Sequence, residues 1–286
     1  MQKKKILIIG KNSYIGQSIK NYMNNENYLI TEFDIENTQL EESDLMGIWG
    51  VIHVAAIVHN KTLKDYTMYK NINTDLPVSI AKLAKKCGVK QFVFLSTMAV
   101  YGSSKKLHGM IIDETTEYAP KSFYGKSKYE AELQLSDLSD ENFNIAIIRP
   151  ANVYGKGCKG NYIPGFIRIV KILPFIPKAY DNVKQGMLYI DNLCELIKII
   201  IDNKAIGIFP AQDKIPISSY ELMKEISNTL RLNKKSSNIV GGIFFVLRIS
   251  LTNKLFGGIA YSQEYSKCIY GDYQLVDFKN AIRRSI

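Results

Sequence analysis

Tyr124-Gly125-Lys126-Ser127-Lys128 sets a phenol and an ammonium four residues apart, the spacing that puts two side chains on one face of a helix. Such a pair can act on one substrate atom, the phenol giving or taking a proton while the ammonium offsets negative charge. A free phenol titrates near ~10. Holding part of it as phenolate at neutral pH therefore needs a drop of about 3 in pKa, worth about 4 kcal/mol, and nearby positive charge has the right sign to supply it. Spacing alone does not select this pair, because among the 18 tyrosines Tyr66, Tyr101, Tyr180 and Tyr220 also have Lys four residues on. Only Tyr124 follows a helix-start signal, Pro120 and Ser122, and an apolar run that ends in two hydroxyls, Phe92-Val93-Phe94-Leu95-Ser96-Thr97.

The elements that must carry these groups can be read along the chain. Ile6 to Ile9 is an apolar run of strand length, followed at once by Gly10-Lys11-Asn12-Ser13-Tyr14-Ile15-Gly16 and a helical pattern to about Asn24. A second strand, Tyr28 to Phe33, ends in Asp34, and a third, Val51 to Ala55, follows after only a short polar segment, which leaves little room for another strand and helix between them. Leu76, Ile80, Leu83 and Cys87 mark one apolar face of a helix closed by Gly88, with Pro77 tolerated in its first turn. Strands are expected over Gln91–Ser96 and Asn144–Ile148, with a helix from Tyr124 to about Ser136 between them. Further on, Ile206–Pro210 reads as a short strand and Ser218–Leu230 as a serine-capped helix.

Together these motifs resemble the extended short-chain dehydrogenase/reductase family, in its nucleotide-sugar epimerase, dehydratase and reductase group, from about Lys4 to Ile200. The resemblance implies an α/β fold, a Rossmann-like doubly wound parallel sheet with a smaller C-terminal α/β substrate lobe. It divides the chain into a dinucleotide-binding domain over 1–155 and a mainly substrate-binding lobe over 156–286, with helix 190–203 returning to the first. Its cofactor would be NAD, with NADP second. The glycine loop matches at Gly10 and Gly16, and Ser13 stands at the family's middle glycine; Ser13, Tyr14 and Ile15 would bring backbone N–H groups to the pyrophosphate. Asp34 would accept from the adenosine ribose, Ala55 and Ala56 would let the dinucleotide lie against the sheet edge, and Asn73 would help hold it. Thr97, Tyr124 and Lys128 would be catalytic, with Tyr124 and Lys128 also reaching the cofactor. His59, Thr97, Met98, Asn152, Asn161 and Lys184 would contact substrate. His53 reads instead as a packed strand residue. Dehydratases of this group carry Asp-Glu after the threonine, whereas this chain has Met98-Ala99, so dehydration is not expected.

Composition narrows the partners. A length of 286 residues with 46% hydrophobic and 22% charged content is ordinary for one globular unit with a lobe added. The formal charge of +10 is spread along the chain, with no block beyond Lys3-Lys4-Lys5, so no nucleic-acid partner is expected. Cys87, Cys158, Cys194 and Cys268 lack metal-ligand or redox spacing, so no metal is expected and reduced thiols fit a cytoplasmic protein. The run Ile6–Ile9 is too short for an export signal. The apolar segment Ile239–Ile249 contains Gly241, Gly242 and Arg248 and is too short to span a bilayer. With Lys234, Lys235, Arg248 and Lys254 around it, it leaves peripheral membrane contact as an open second reading.

Three functions are compatible with these residues. The first is reduction of a UDP-4-keto-6-deoxy-N-acetylhexosamine in surface polysaccharide synthesis, with Tyr124 donating the proton. The second is 4-epimerisation of a UDP-hexose or UDP-N-acetylhexosamine by the same residues. The third is cofactor binding without chemistry, which has no need of Thr97, Tyr124 and Lys128 together. The family resemblance also points to a homodimer formed through paired helices that include the one bearing Tyr124.

Overall fold

A computed structural model of the chain describes residues 3–25, 27–58, 65–102, 107, 109–158, 160, 162–239, 242 and 249–286. Six parallel strands form the central sheet: β1 (Lys4–Ile9), β2 (Tyr28–Phe33), β3 (Gly50–His53), β4 (Gln91–Leu95), β6 (Asn144–Pro150) and β10 (Gly207–Ala211). They lie in the order β10-β6-β4-β3-β1-β2. The short strand β5 (Ile111–Ile112) stands outside that sheet. The apolar runs seen in the sequence are continuous because both faces of the sheet are covered. Ile6 and Ile8 of β1, Val93 and Leu95 of β4 and Ile148 of β6 enter one core with helices α1 (Tyr14–Met23) and α6 (Ile190–Asn203). The alternate residues Leu7, Ile9, Phe92, Phe94 and Ile147 enter a second core with α3 (Leu76–Lys86) and α4 (Phe123–Ser136).

β1 pairs with β2 on one side and with β3 on the other, so the winding of the sheet reverses between β1 and β3. At their carboxyl ends Ile9 stands opposite His53, which brings the Gly10 loop and Val54-Ala55 side by side where open α/β sheets bind ligands. The segment between β2 and β3 holds only a one-turn helix, Glu42–Leu45, as its length required.

The helix expected from Leu76 begins earlier. Asp65 caps α2 (Tyr66–Lys70) by accepting from Thr67 N at 3.0 Å, and a wide π-helical turn, Asn71–Asp75, joins it to α3. Pro77 has no N–H for the carbonyl of Asn73, so the regular ladder is broken where that wide turn lies.

The remaining elements are small. Helix α5 (Tyr162–Ile172) follows β7 (Asn152–Tyr154), which pairs with β9 (Met187–Tyr189). Strand β8 (Ile176–Pro177) pairs with β11 (Ser236–Ser237) beside α7 (Ser219–Thr229). Helix α6 does come back against α1, where Tyr22 donates to Glu195 at 2.8 Å, and β10 returns with it to the central sheet. No helix among the described residues is long and apolar enough to cross a membrane.

Candidate active site

A cleft of about 940 Å³ opens at the carboxyl edge of the sheet, running from Asp34, Glu36 and Asn37 at one end to Ser96, Tyr124 and Lys128 at the other. Gly10, Ser13, Tyr14, Ile15, Ala55 and Ala56 line its floor. Gly10 has φ +123°, and a Cβ there would stand 2.9 Å from the Val54 side chain and 3.0 Å from Ala55 N, so only glycine serves. Ser13 is the N-cap of α1, its hydroxyl accepting from Gly16 N at 3.1 Å. The side chain that replaces the family's middle glycine is therefore folded back onto the helix end and leaves the cleft floor open. Gly16 lies beneath, packed against Gly10 O and Ile8. Asp34 accepts from Asn37 at 3.1 Å and faces Lys11 at 3.9 Å, whereas Glu32 is taken up by Gln17 and Lys20.

The reacting end is assembled from three elements. Thr97, just beyond β4, caps a short turn, Met98–Tyr101, by accepting from Ala99 N at 3.1 Å. Ser122 caps α4, accepting from Gly125 N at 3.0 Å, and Gly125 allows α4 to press on that turn; a Cβ there would come within 2.6 Å of Ala99 O. Burial pushes the Tyr124 phenol up to about 12, with the Thr97 hydroxyl as the opposing influence. Lys128 donates to Leu95 O at 2.8 Å and lies 4.3 Å from the centre of the Phe94 ring. Burial lowers the Lys128 ammonium to about 7, and Glu132 one turn further on opposes the drop.

Glu132 itself is buried. Arg149 of β6 grips it through Nε at 3.1 Å and Nη2 at 2.5 Å, Ser96 donates to it, and Arg149 Nη1 reaches the Tyr101 hydroxyl at 2.5 Å. This network ties α4, β4, β6 and the Thr97 turn together. Neither Arg149 nor Glu132 was among the expected site residues; the signal for Glu132 was its place one turn after Lys128. Cys158 and Gly160 also line the cleft, and neither was among the expected site residues.

Asn73 is fully buried away from the cleft wall, bridging the backbone N–H and carbonyl of Ile57 at 2.9 Å and Ser127 Oγ at 3.1 Å. It fixes the loop after β3 to α4. Met98 is buried with Val100, Tyr101 and Ile112. Lys184 is paired with Glu221 at 2.8 Å and with Asp181 at 3.9 Å. Asn152 is exposed at the start of β7. His53 packs against Phe92 and Phe94, as a strand residue should. His59 and Asn161 lie outside the described residues, as does most of the segment Ile239–Ile249.

A parallel sheet with a glycine-cornered cleft at its switch point, and with Tyr124 and Lys128 lining that cleft, is a Rossmann-like architecture. The chain belongs to the NAD dependent epimerase/dehydratase family, whose model matches residues 6–208. It is 33% identical over 228 residues to a UDP-glucose 4-epimerase of Vibrio cholerae, covering 77% of this chain and 69% of the relative. It is 25% identical over 276 residues, 88% of this chain and 82% of the relative, to the N-acetyl-alpha-D-glucosaminyl-diphospho-ditrans,octacis-undecaprenol 4-epimerase of Escherichia coli O157:H7. Among solved structures, a dTDP-4-dehydrorhamnose reductase from Clostridium acetobutylicum superposes with a TM-score of 0.64 at 25% identity, over 82% of each chain.

Proposed function

We propose that this protein is an NAD-dependent oxidoreductase acting at C4 of a nucleotide-activated sugar, reducing a UDP-4-keto-6-deoxy-N-acetylhexosamine for surface polysaccharide synthesis. The observation that carries the reading is a single cleft lined by Tyr124 and Lys128 of α4 together with the Gly10 turn. The cleft fits a dinucleotide: Gly10 gives the chain its close turn, the helix α1 amides face the space above it, and Asp34 stands at the far end. NADH bound there would supply the hydride and leave as NAD.

The chain's own groups account for the rest. Thr97 donates to the sugar's O4 and orients it, and Tyr124 holds the proton that O4 receives. With its pKa raised by burial, Tyr124 is a protonated acid at neutral pH, which suits reduction. Lys128 holds the ribose side of the cleft beside Leu95 O. Asn152 is the remaining sugar contact, at the exposed start of β7. His59, Asn161, Met98 and Lys184 keep the substrate roles the family resemblance gave them only as secondary candidates.

A second reading, 4-epimerisation, is favoured by the two relatives, both named as 4-epimerases. Their substrates differ in what the sugar is linked to, uridine or undecaprenol, and share a diphosphate at the sugar. Incubation with a UDP-4-keto-6-deoxy-N-acetylhexosamine and NADH separates the two. Consumption of NADH supports reduction; no consumption, with interconversion of UDP-GlcNAc and UDP-GalNAc, replaces it with epimerisation.

The assembly belongs to the same reading. Phe123 and Leu133 on α4 and Met68 on α2 are exposed, at 44%, 53% and 41%, giving the Tyr124 helix an apolar outer surface suited to a homodimer. A cytoplasmic location follows from a nucleotide-sugar substrate. We divide the chain functionally into the sheet with α1 to α4, α6 and β10, and a substrate lobe drawn from 156–189 and 212–286.

A further inference from the structure

The chain's charge is partitioned in a way its even distribution of lysines hides. Between Glu141 and Asp181, and again between Glu225 and Glu264, there is no Asp or Glu. Eleven of the 37 Lys and Arg fall in those two stretches, which leaves 26 cations against 27 acids elsewhere, so the whole +10 excess resides in them. The fold sets the two stretches side by side. Ile176 N donates to Lys235 O at 2.9 Å and Lys178 N to Ser237 O at 3.1 Å, in the β8–β11 pairing. Lys234 Nζ caps the end of α5, donating to Val170 O at 2.6 Å and Leu173 O at 2.5 Å.

The result is one surface that carries exposed Arg168, Lys171, Lys178, Arg231 and Lys235. Among the described residues none of the five is within ion-pair distance of a carboxylate. The acids that bound the stretches do not neutralise it: Asp181 accepts from Ser218 and pairs with Lys184, and Glu225 is buried. Out of the same surface project Ile172 at 80% exposure, Ile239 at 84% and Phe175 at 43%. Arg168 and Ile172 are four apart on α5 and share a face.

We infer that this face of the substrate lobe docks on an anionic phospholipid surface. Cations held around protruding apolar side chains match both layers of such a surface, the charged headgroups and the acyl boundary just beneath. A nucleic acid would satisfy the charges and leave Ile172 and Ile239 in water. A second copy of the chain would set like charges against each other. The face begins at the far end of α5 from the cleft residue Gly160, and α5 is about 16 Å long, so binding here leaves the cleft free. The inference does not depend on which C4 reaction the cleft performs.

The test is co-sedimentation of the full chain, with NAD added, on vesicles of phosphatidylglycerol and phosphatidylethanolamine against vesicles of phosphatidylcholine alone. Wild type should pellet with the anionic vesicles only, and less as salt is raised. Lys171→Glu/Lys178→Glu/Lys235→Glu should bind roughly 100-fold or more weakly. Ile172→Asp should also weaken binding, and in both variants NAD affinity should stay unchanged. Wild type remaining in the supernatant with anionic vesicles overturns the inference, as does equal pelleting on both compositions or a triple variant that binds like wild type. Vesicle binding displaced by a short RNA, or a dimer that dissociates in the triple variant, reassigns the face and overturns it equally.

Discussion

Arg149 on β6 and Glu132 on α4 form a bidentate ion pair with 1% and 2% of their side chains exposed. Seventeen residues separate them in the chain, yet the pair fixes the helix that carries Tyr124 and Lys128 against the strand beside β4. A buried charge that loses its partner is costly, about 3–5 kcal/mol, because the survivor stays in a low-dielectric site. Arg149→Met should therefore lower unfolding free energy by about that amount in urea titrations. Pairing it with Glu132→Leu removes the stranded carboxylate, and the double variant should regain most of the loss. A single variant within about 1 kcal/mol of wild type would mean that the network contributes little to stability.

Tyr124→Phe keeps the ring that lines the cleft and removes its hydroxyl. Turnover should fall roughly 10²- to 10⁴-fold while NAD affinity changes little. Steady-state kinetics together with a cofactor titration check both halves. Near-normal turnover would take the proton transfer away from this residue.

The strands of the sheet were legible because a strand buried on both faces is an unbroken apolar run, as Ile6–Ile9 and Phe92–Leu95 are. Caps were legible for the same local reason: Ser122 and Ser218 bond within three residues. What the sequence hid depends on partners far along the chain. Asn73 points inward on a π-helical turn and bonds Ile57 and Ser127, partners that no local pattern in the sequence announces. Lys184 looked free until folding brought Glu221, 37 residues on, to 2.8 Å. Tyr124 and Lys128 lie one turn apart on α4, and the Lys128 ammonium donates to the Leu95 carbonyl. No periodicity records which acceptor a buried amine will choose.

That choice has a pH signature. The folded-state pKa of Lys128, lowered by burial to about 7, lies below its unfolded value of 10.5, so the folded protein binds fewer protons between those two pH values. Stability contributed at this site should rise with pH through that window, and the cost of burying the cation should be fully present below pH about 7. Lys128→Met cannot titrate. Melting temperatures measured from pH 6 to pH 10 should show wild type gaining on the variant as pH increases. A constant difference across that range would place the Lys128 pKa near its unfolded value.

Asp34 lines one end of the cleft, with Lys11 3.9 Å away and Asn37 donating to it. In the proposed reading its carboxylate accepts from the ribose hydroxyls of NAD and would repel a 2′-phosphate, favouring NAD over NADP. A hydrogen bond to a charged group is worth about 1.5–3 kcal/mol, so Asp34→Ala should weaken NAD use roughly 10- to 100-fold. The same change releases the Lys11 ammonium, which can then face a phosphate, so NADP use should rise. The expected reading is a ratio of kcat/KM for the two cofactors that falls by at least the loss seen with NAD. If the ratio is unchanged, discrimination rests with Glu36, the other carboxylate lining that end of the cleft.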